Sequence, residues 1–143
     1  MDTKFSVALH ILTMISESKE VLSSQALATS VGTNASYIRK VIALLKNAGL
    51  LTSRQGKSGY ELSKTAKEIS LLEIYYATQE VNTISLFQIH QHANRECIVG
   101  KHIEKAMFPI FSDAERLLEN QLSKQTLDDV IHNLYQEVGQ NRI

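Results

Sequence analysis

Apolar positions in this chain recur mainly at three-to-four spacing, the period of a helix with one buried side. Over residues 3–17, Phe5, Ala8, Leu9, Leu12 and Ile15 keep that spacing and predict a first helix. A polar loop over 18–22 separates it from a short second helix. Ser23 or Ser24 caps that helix, because a serine hydroxyl accepts a bond from an orphan amide at a helix start. Leu27 and Ala28 give it an apolar side. Val31-Gly32-Thr33 breaks the run, and Gly32 can take the positive φ of a sharp turn. Thr33 or Asn34 caps a third helix. There Ile38, Val41, Ile42, Leu44 and Leu45 mark the buried side, and Ser36, Arg39, Lys40 and Lys46 fall largely on the other. Gly49 stands where a glycine closes a helix.

The period then changes. Leu50–Ser53 and Tyr60–Leu62 are short strand candidates joined by a Gln55–Gly59 turn. A hairpin directly after two short helices is a wing, so residues 23–62 predict a winged helix-turn-helix. Farther on, Ser70 and Glu73 form a capping box that opens a helix from Leu71 to about Thr78. Residues 80–97 are loop-like, and a long helix follows from about Ile98 to Leu122. That helix has two apolar stripes: Ile103, Ala106, Ile110, Ala114 and Leu117, and Phe108, Phe111, Leu118 and Leu122. A helix apolar on two sides needs two partners. One is its own domain; the other is expected to be the same helix of a second copy, around a two-fold axis. Pro109 is expected to kink it. Thr126 and Asp129 cap a last short helix carrying Leu127, Val130, Ile131 and Leu134, and the tail from Gln136 is expected to fray.

The predicted fold class is therefore mostly α: a winged helix-turn-helix domain with a small β-hairpin wing, plus a long C-terminal dimerisation helix. The expected division is 1–80 for DNA binding, 81–97 as a sensing loop and 98–143 as dimerisation helices. Composition agrees. In 143 residues, 43% are hydrophobic, enough for a real core, and a single proline with six glycines suits a helical chain. One cysteine excludes an internal disulfide and fits a reducing compartment. No membrane-spanning run is visible, and the first residues lack a small-residue cleavage site, so a cytoplasmic protein is expected.

Charge sharpens the functional expectation. Residues 33–67 hold seven basic side chains against one acid, Glu61, while the whole chain is neutral. Positive charge gathered in one quarter of the length is the electrostatic footprint of a polyanion binder. In the winged docking mode the start of the third helix faces base edges, which nominates Asn34, Ser36, Tyr37, Arg39 and Lys40. Arg39 suits guanine O6 and N7, and Asn34 suits adenine or a phosphate. Arg54 and Lys57 on the wing are expected at phosphates or the minor groove, and Ser24 and Gln25 on the second helix at phosphate. The expected partners are double-stranded DNA with an inverted-repeat operator and a second copy of the chain.

The run Tyr37-Ile38-Arg39-Lys40-Val41-Ile42-Ala43-Leu44-Leu45-Lys46-Asn47-Ala48-Gly49-Leu50-Leu51, the wing ending Gly59-Tyr60, and Ile69-Ser70-Leu71-Leu72-Glu73-Ile74-Tyr75 resemble the Rrf2 family of bacterial regulators. The resemblance covers most of the chain and implies a dimeric transcription regulator, more a repressor than an activator. The wing turn is shorter than the family's usual glycine run. Members that hold an iron–sulfur cluster resemble each other in three cysteines before the long helix, since thiolates are cluster ligands. Here only Cys97 stands, at the last of those positions, so no cluster and no other cofactor is expected.

Cys97 lies near Arg95, Lys101 and His102 at a helix start, where positive charge and the helix terminus favour thiolate, the reactive form. It is the candidate redox or electrophile sensor, with an inert thiol as the alternative. His90, His92, Cys97 and His102 make a looser set suited to zinc. Gly56-Lys57-Ser58 is not a phosphate loop, because Leu51 occupies the required earlier glycine position. No nucleophile elbow or dinucleotide motif appears, so an enzyme is not expected. Two alternatives stay open: a regulator of the same kind answering a reversible small-molecule or metal ligand, and a winged-helix module that binds protein.

Overall fold

A computed structural model describes residues 2–142. Six α-helices and one hairpin follow in order: α1 Lys4–Glu17, α2 Ser24–Val31, α3 Ala35–Asn47, β1 Leu51–Ser53, β2 Tyr60–Leu62, α4 Leu71–Gln79, α5 Ile98–Lys124 and α6 Leu127–Val138. A 3-10 turn, Ala66–Glu68, joins the hairpin to α4. The fold is the mostly helical winged helix-turn-helix that the periodicity predicts.

Local chemistry places each boundary. Ser23 caps α2 by accepting from the Ala26 amide at 3.1 Å, and Asn34 caps α3 by accepting from the Tyr37 amide at 2.9 Å. Between them Gly32 takes φ 86°, a left-handed angle that costs a residue with a Cβ. At the other end of α3, Gly49 (φ 76°) donates to Lys46 O and Leu50 donates to Leu45 O. This pair of bonds is a Schellman closure. It draws Leu50 into the helix end, so the strand begins one residue later than predicted. β1 and β2 pair antiparallel, Leu51 opposite Leu62 and Ser53 opposite Tyr60. Ser70 and Glu73 form the predicted capping box, as do Thr126 and Asp129.

The core sits where the helices converge. Ile11 and Leu12 of α1, Leu27 of α2, Ile38, Val41 and Leu45 of α3, Leu51 of β1, and Ile69 and Ile74 around α4 are essentially fully buried. Each such side chain contributes roughly 1.5–3 kcal/mol by leaving water. Leu127 and Ile131 of α6 are buried in the same cluster. The core thus crosses the expected boundary at residue 98: α5 leaves it and α6 returns to it. Two backbone bonds fasten the return, Leu71 N–H to Gln125 O and Leu127 N–H to Ile69 O, both 2.9 Å.

The end of the chain differs from the expected fraying tail. α6 continues to Val138, Gly139 closes it at φ 76°, and Arg142 turns back to the end of α1 and the start of α6. Its guanidinium donates to both Glu17 oxygens, at 2.9 and 3.0 Å, and to Asp128. A planar fork can bridge carboxylates on two elements at once, which a run of polar residues in sequence does not reveal.

α5 has no buried residue. Phe111, Leu118 and Leu122 are half-buried on the side toward the domain. Ile110 and Leu117 are 68% and 71% exposed, on a face that nothing among the described residues covers. Phe108, predicted beside Phe111, is also exposed. The helix continues through Pro109. No helix among the described residues is long and apolar enough to cross a membrane.

Candidate nucleic-acid interface and the loop before α5

α3 buries Ile38, Val41, Ile42 and Leu45 and leaves Asn34, Ser36, Arg39 and Lys40 in solvent. The 3.6-residue period dictates this split: a strongly apolar face anchors the helix and turns its cations outward. The wing adds Arg54, half-buried, and Lys57, exposed at the turn. Arg39, Lys40, Arg54 and Lys57 make no ion pair among the described residues. Their positive charge is uncompensated, as a phosphate-facing surface requires.

Four contacts fix the wing against the helices and the loop before α2. Lys46 donates to Ser53 Oγ at 2.5 Å and lies 5.6 Å from the Tyr60 ring centroid. Tyr60 Oη and Ser24 Oγ share a hydrogen bond of 3.1 Å. Gly59, at φ 96°, packs so closely that a Cβ there would lie 2.8 Å from Val21 Cγ1. Lys46 is therefore a brace between α3 and the hairpin rather than a free cation.

The nominated residues divide. Asn34, Ser36, Arg39 and Lys40 share the exposed start of α3, and Gln25 is exposed on α2. Asn34 Oδ1 is committed to the cap, which leaves Nδ2 to donate and removes the two-point match to adenine. The Ser24 hydroxyl is shared with Tyr60. Tyr37 is half-buried against the core and lines a cleft with His10 and Thr33, so it first serves packing. The sequence offered Asn34 as a cap but did not show the Ser24–Tyr60 bond or the packing of Tyr37.

The segment after α4 is fastened to α5 by two acids. Glu119 accepts from the Ile84 amide at 2.9 Å and from Thr83 Oγ1 at 3.2 Å, while Glu115 accepts from the Leu86 and Phe87 amides. Ile84 is buried, and Phe87 stacks on Phe111 with centroids 4.7 Å apart. Neither glutamate was nominated from sequence. The available signal was a pair of acids at i, i+4 interrupting the stripe of Phe111, Leu118 and Leu122.

Cys97 is exposed and occupies the N-cap position of α5. The Gly100 amide, then the Val99 amide, hold its thiol below the ordinary range. The looser zinc set does not assemble. His90, His92 and His102 line one cavity, Cys97 does not line it, and no three His, Cys, Asp or Glu among the described residues are grouped to hold a metal ion.

Comparison with known proteins gives a single direction. The Rrf2 family model, described as an iron-dependent transcriptional regulator, matches residues 1–133. YwnA of Bacillus subtilis (strain 168), named as a candidate HTH-type transcriptional regulator, is 41% identical over 135 residues, 94% of this chain and 99% of the relative. A crystal structure of a candidate DNA-binding protein matches with a TM-score of 0.73 at 40% identity, covering 90% of this chain and 98% of that one. The structure of CymR (YrzC), the global cysteine regulator of B. subtilis, shares the fold with a TM-score of 0.65 at 19% identity, covering 92% and 95%.

Proposed function

This chain belongs to the Rrf2 family of DNA-binding transcriptional regulators, and we propose that it acts in the cytoplasm as a homodimeric repressor whose signal is redox or electrophile stress at Cys97. One observation carries the DNA-contact reading: the uncompensated cations of α3 and the wing lie on elements braced to each other by Lys46. In this reading Arg39 and Lys40 enter the major groove, Asn34 and Ser36 contact the adjoining backbone or base edges, and Arg54 and Lys57 meet phosphates. Ser24, Gln25 and Tyr37 stand at the edge of that footprint.

The exposed face of α5 supports the dimer. Ile110 and Leu117 need a cover, and a second α5 across a two-fold axis supplies an identical one. Two reading heads then meet the two halves of an inverted repeat.

The donor set does not fit an iron–sulfur cluster. A cluster takes several thiolates, and Cys97 is the chain's only cysteine. What Cys97 offers instead is an exposed thiol biased toward thiolate, which adds to a quinone or exchanges with a disulfide. The loop it ends is tied to α5 through Glu115 and Glu119, so a change at Cys97 has a route to the helix that spaces the reading heads.

The test is binding to the duplex upstream of the protein's own gene, before and after treatment with a quinone, paired with transcription from that template. The proposal expects tight binding that lowers transcript, lost on treatment and retained in Cys97→Ser. Binding indifferent to the quinone removes Cys97 as the sensor and leaves a reversible ligand.

A further inference from the structure

Outside the DNA-facing strip the chain carries more acids than bases, yet one cavity is cationic. Residues 89–95 lie against the first turns of α5 and line an open cleft of about 490 Å³ whose basic side chains are exposed. That lies within the roughly 300–1,000 Å³ typical of small-molecule sites. His90, His92, Arg95, Lys101, His102 and Lys105 line it, and Glu104 is the single acid. Three of the chain's five histidines are therefore gathered here.

Arg95, Lys101 and Lys105 form no ion pair among the described residues. Like charges held around one cavity repel, and a bound anion relieves the repulsion. Each imidazole adds an N–H donor in either protonation state. The approach of the loop to α5 is written into the backbone as well. A Cβ on Gly100 would lie 2.3 Å from the Asn94 carbonyl oxygen, so glycine lets the loop close on α5. Asn94 then fixes the loop's turn, its Oδ1 accepting from the Glu96 amide at 3.0 Å and its carbonyl from the Cys97 amide at 3.2 Å.

We propose that this cavity binds a small polyanion, a di- or tricarboxylate or a diphosphate, as a reversible effector of the regulator. The effector role rests on the regulator reading; the binding does not. Arginine and lysine match carboxylate and phosphate oxygens equally in charge, so the two sources are separated by probe.

The experiment is calorimetric titration of the full chain with citrate and, separately, with pyrophosphate at fixed ionic strength. It is repeated on the Arg95→Ala/Lys105→Ala double variant, with Lys101→Ala as a second variant should the first not fold. Saturable binding of one probe, weakened at least about tenfold in the variant, is the expected result. Preference for citrate identifies a carboxylate ligand, and preference for pyrophosphate a phosphate. The unliganded variant should melt and bind duplex DNA as the parent does. Three results overturn the proposal: no saturation by either probe up to about 10 mM, equal affinity in the variant, or weaker duplex binding by the variant without any anion. The last would make these cations part of the DNA footprint. Failure of the duplex assay with intact probe binding would instead count against the regulator mechanism alone.

Discussion

Ile110→Glu tests what covers α5. In the single chain Ile110 is 68% exposed, so the change leaves the protomer's own packing almost untouched. At about 25 cal/mol per Å², burying the roughly 120 Å² that this side chain exposes contributes about 3 kcal/mol. A two-fold contact counts that twice, and a glutamate there adds the cost of desolvating a charge. The dimer should therefore lose about 6 kcal/mol or more, a dissociation constant weakened about 10⁴-fold. Sedimentation equilibrium across the micromolar range reads the constant, and circular dichroism verifies that the helices persist. A variant that still dimerises within tenfold of the parent would refute the assignment of this face. Leu117→Glu, at 71% exposure one face over two turns, should behave alike.

Ser70→Ala removes the capping-box hydroxyl at the start of α4 and should cost ~1 kcal/mol, read as a lower urea midpoint with an unchanged slope. The Glu73 carboxyl is held below its ordinary value of 4.5: burial opposes the shift, but Lys64 at 2.6 Å and the Ser70 amide outweigh it. A depressed carboxyl stabilises the fold above the unfolded value and loses that contribution as pH falls through the folded one. The melting temperature should thus drop below about pH 4.5, and Glu73→Gln should drop less steeply over that interval.

Local structure was legible because its causes are local. The caps at Ser23, Asn34, Ser70 and Thr126, the left-handed Gly32 and the two strands of the hairpin each depend on a few neighbouring residues. What escaped depends on distant ones. Arg142 meets Glu17 across 125 positions, and Glu115 reaches a backbone amide 29 positions away. The return of Leu127 and Ile131 to the core is of the same kind, since the period gives α6 an apolar face but not its partner. The candidate site shows the same boundary. Periodicity placed Arg39 and Lys40 outside, while the bond of Ser24 to Tyr60 and that of Lys46 to Ser53 needed coordinates.

Whether the outward face of α3 reads DNA is decided by Arg39→Ala. Fluorescence anisotropy with the duplex upstream of the protein's own gene, taken over a salt series, compares the variant with the parent. Affinity should fall steeply with salt, and Arg39→Ala should lose ~1–3 kcal/mol at equal salt, with weaker discrimination among duplex sequences. An Arg39→Ala protein that binds this duplex as tightly as the parent, at the same salt, would contradict this role for α3.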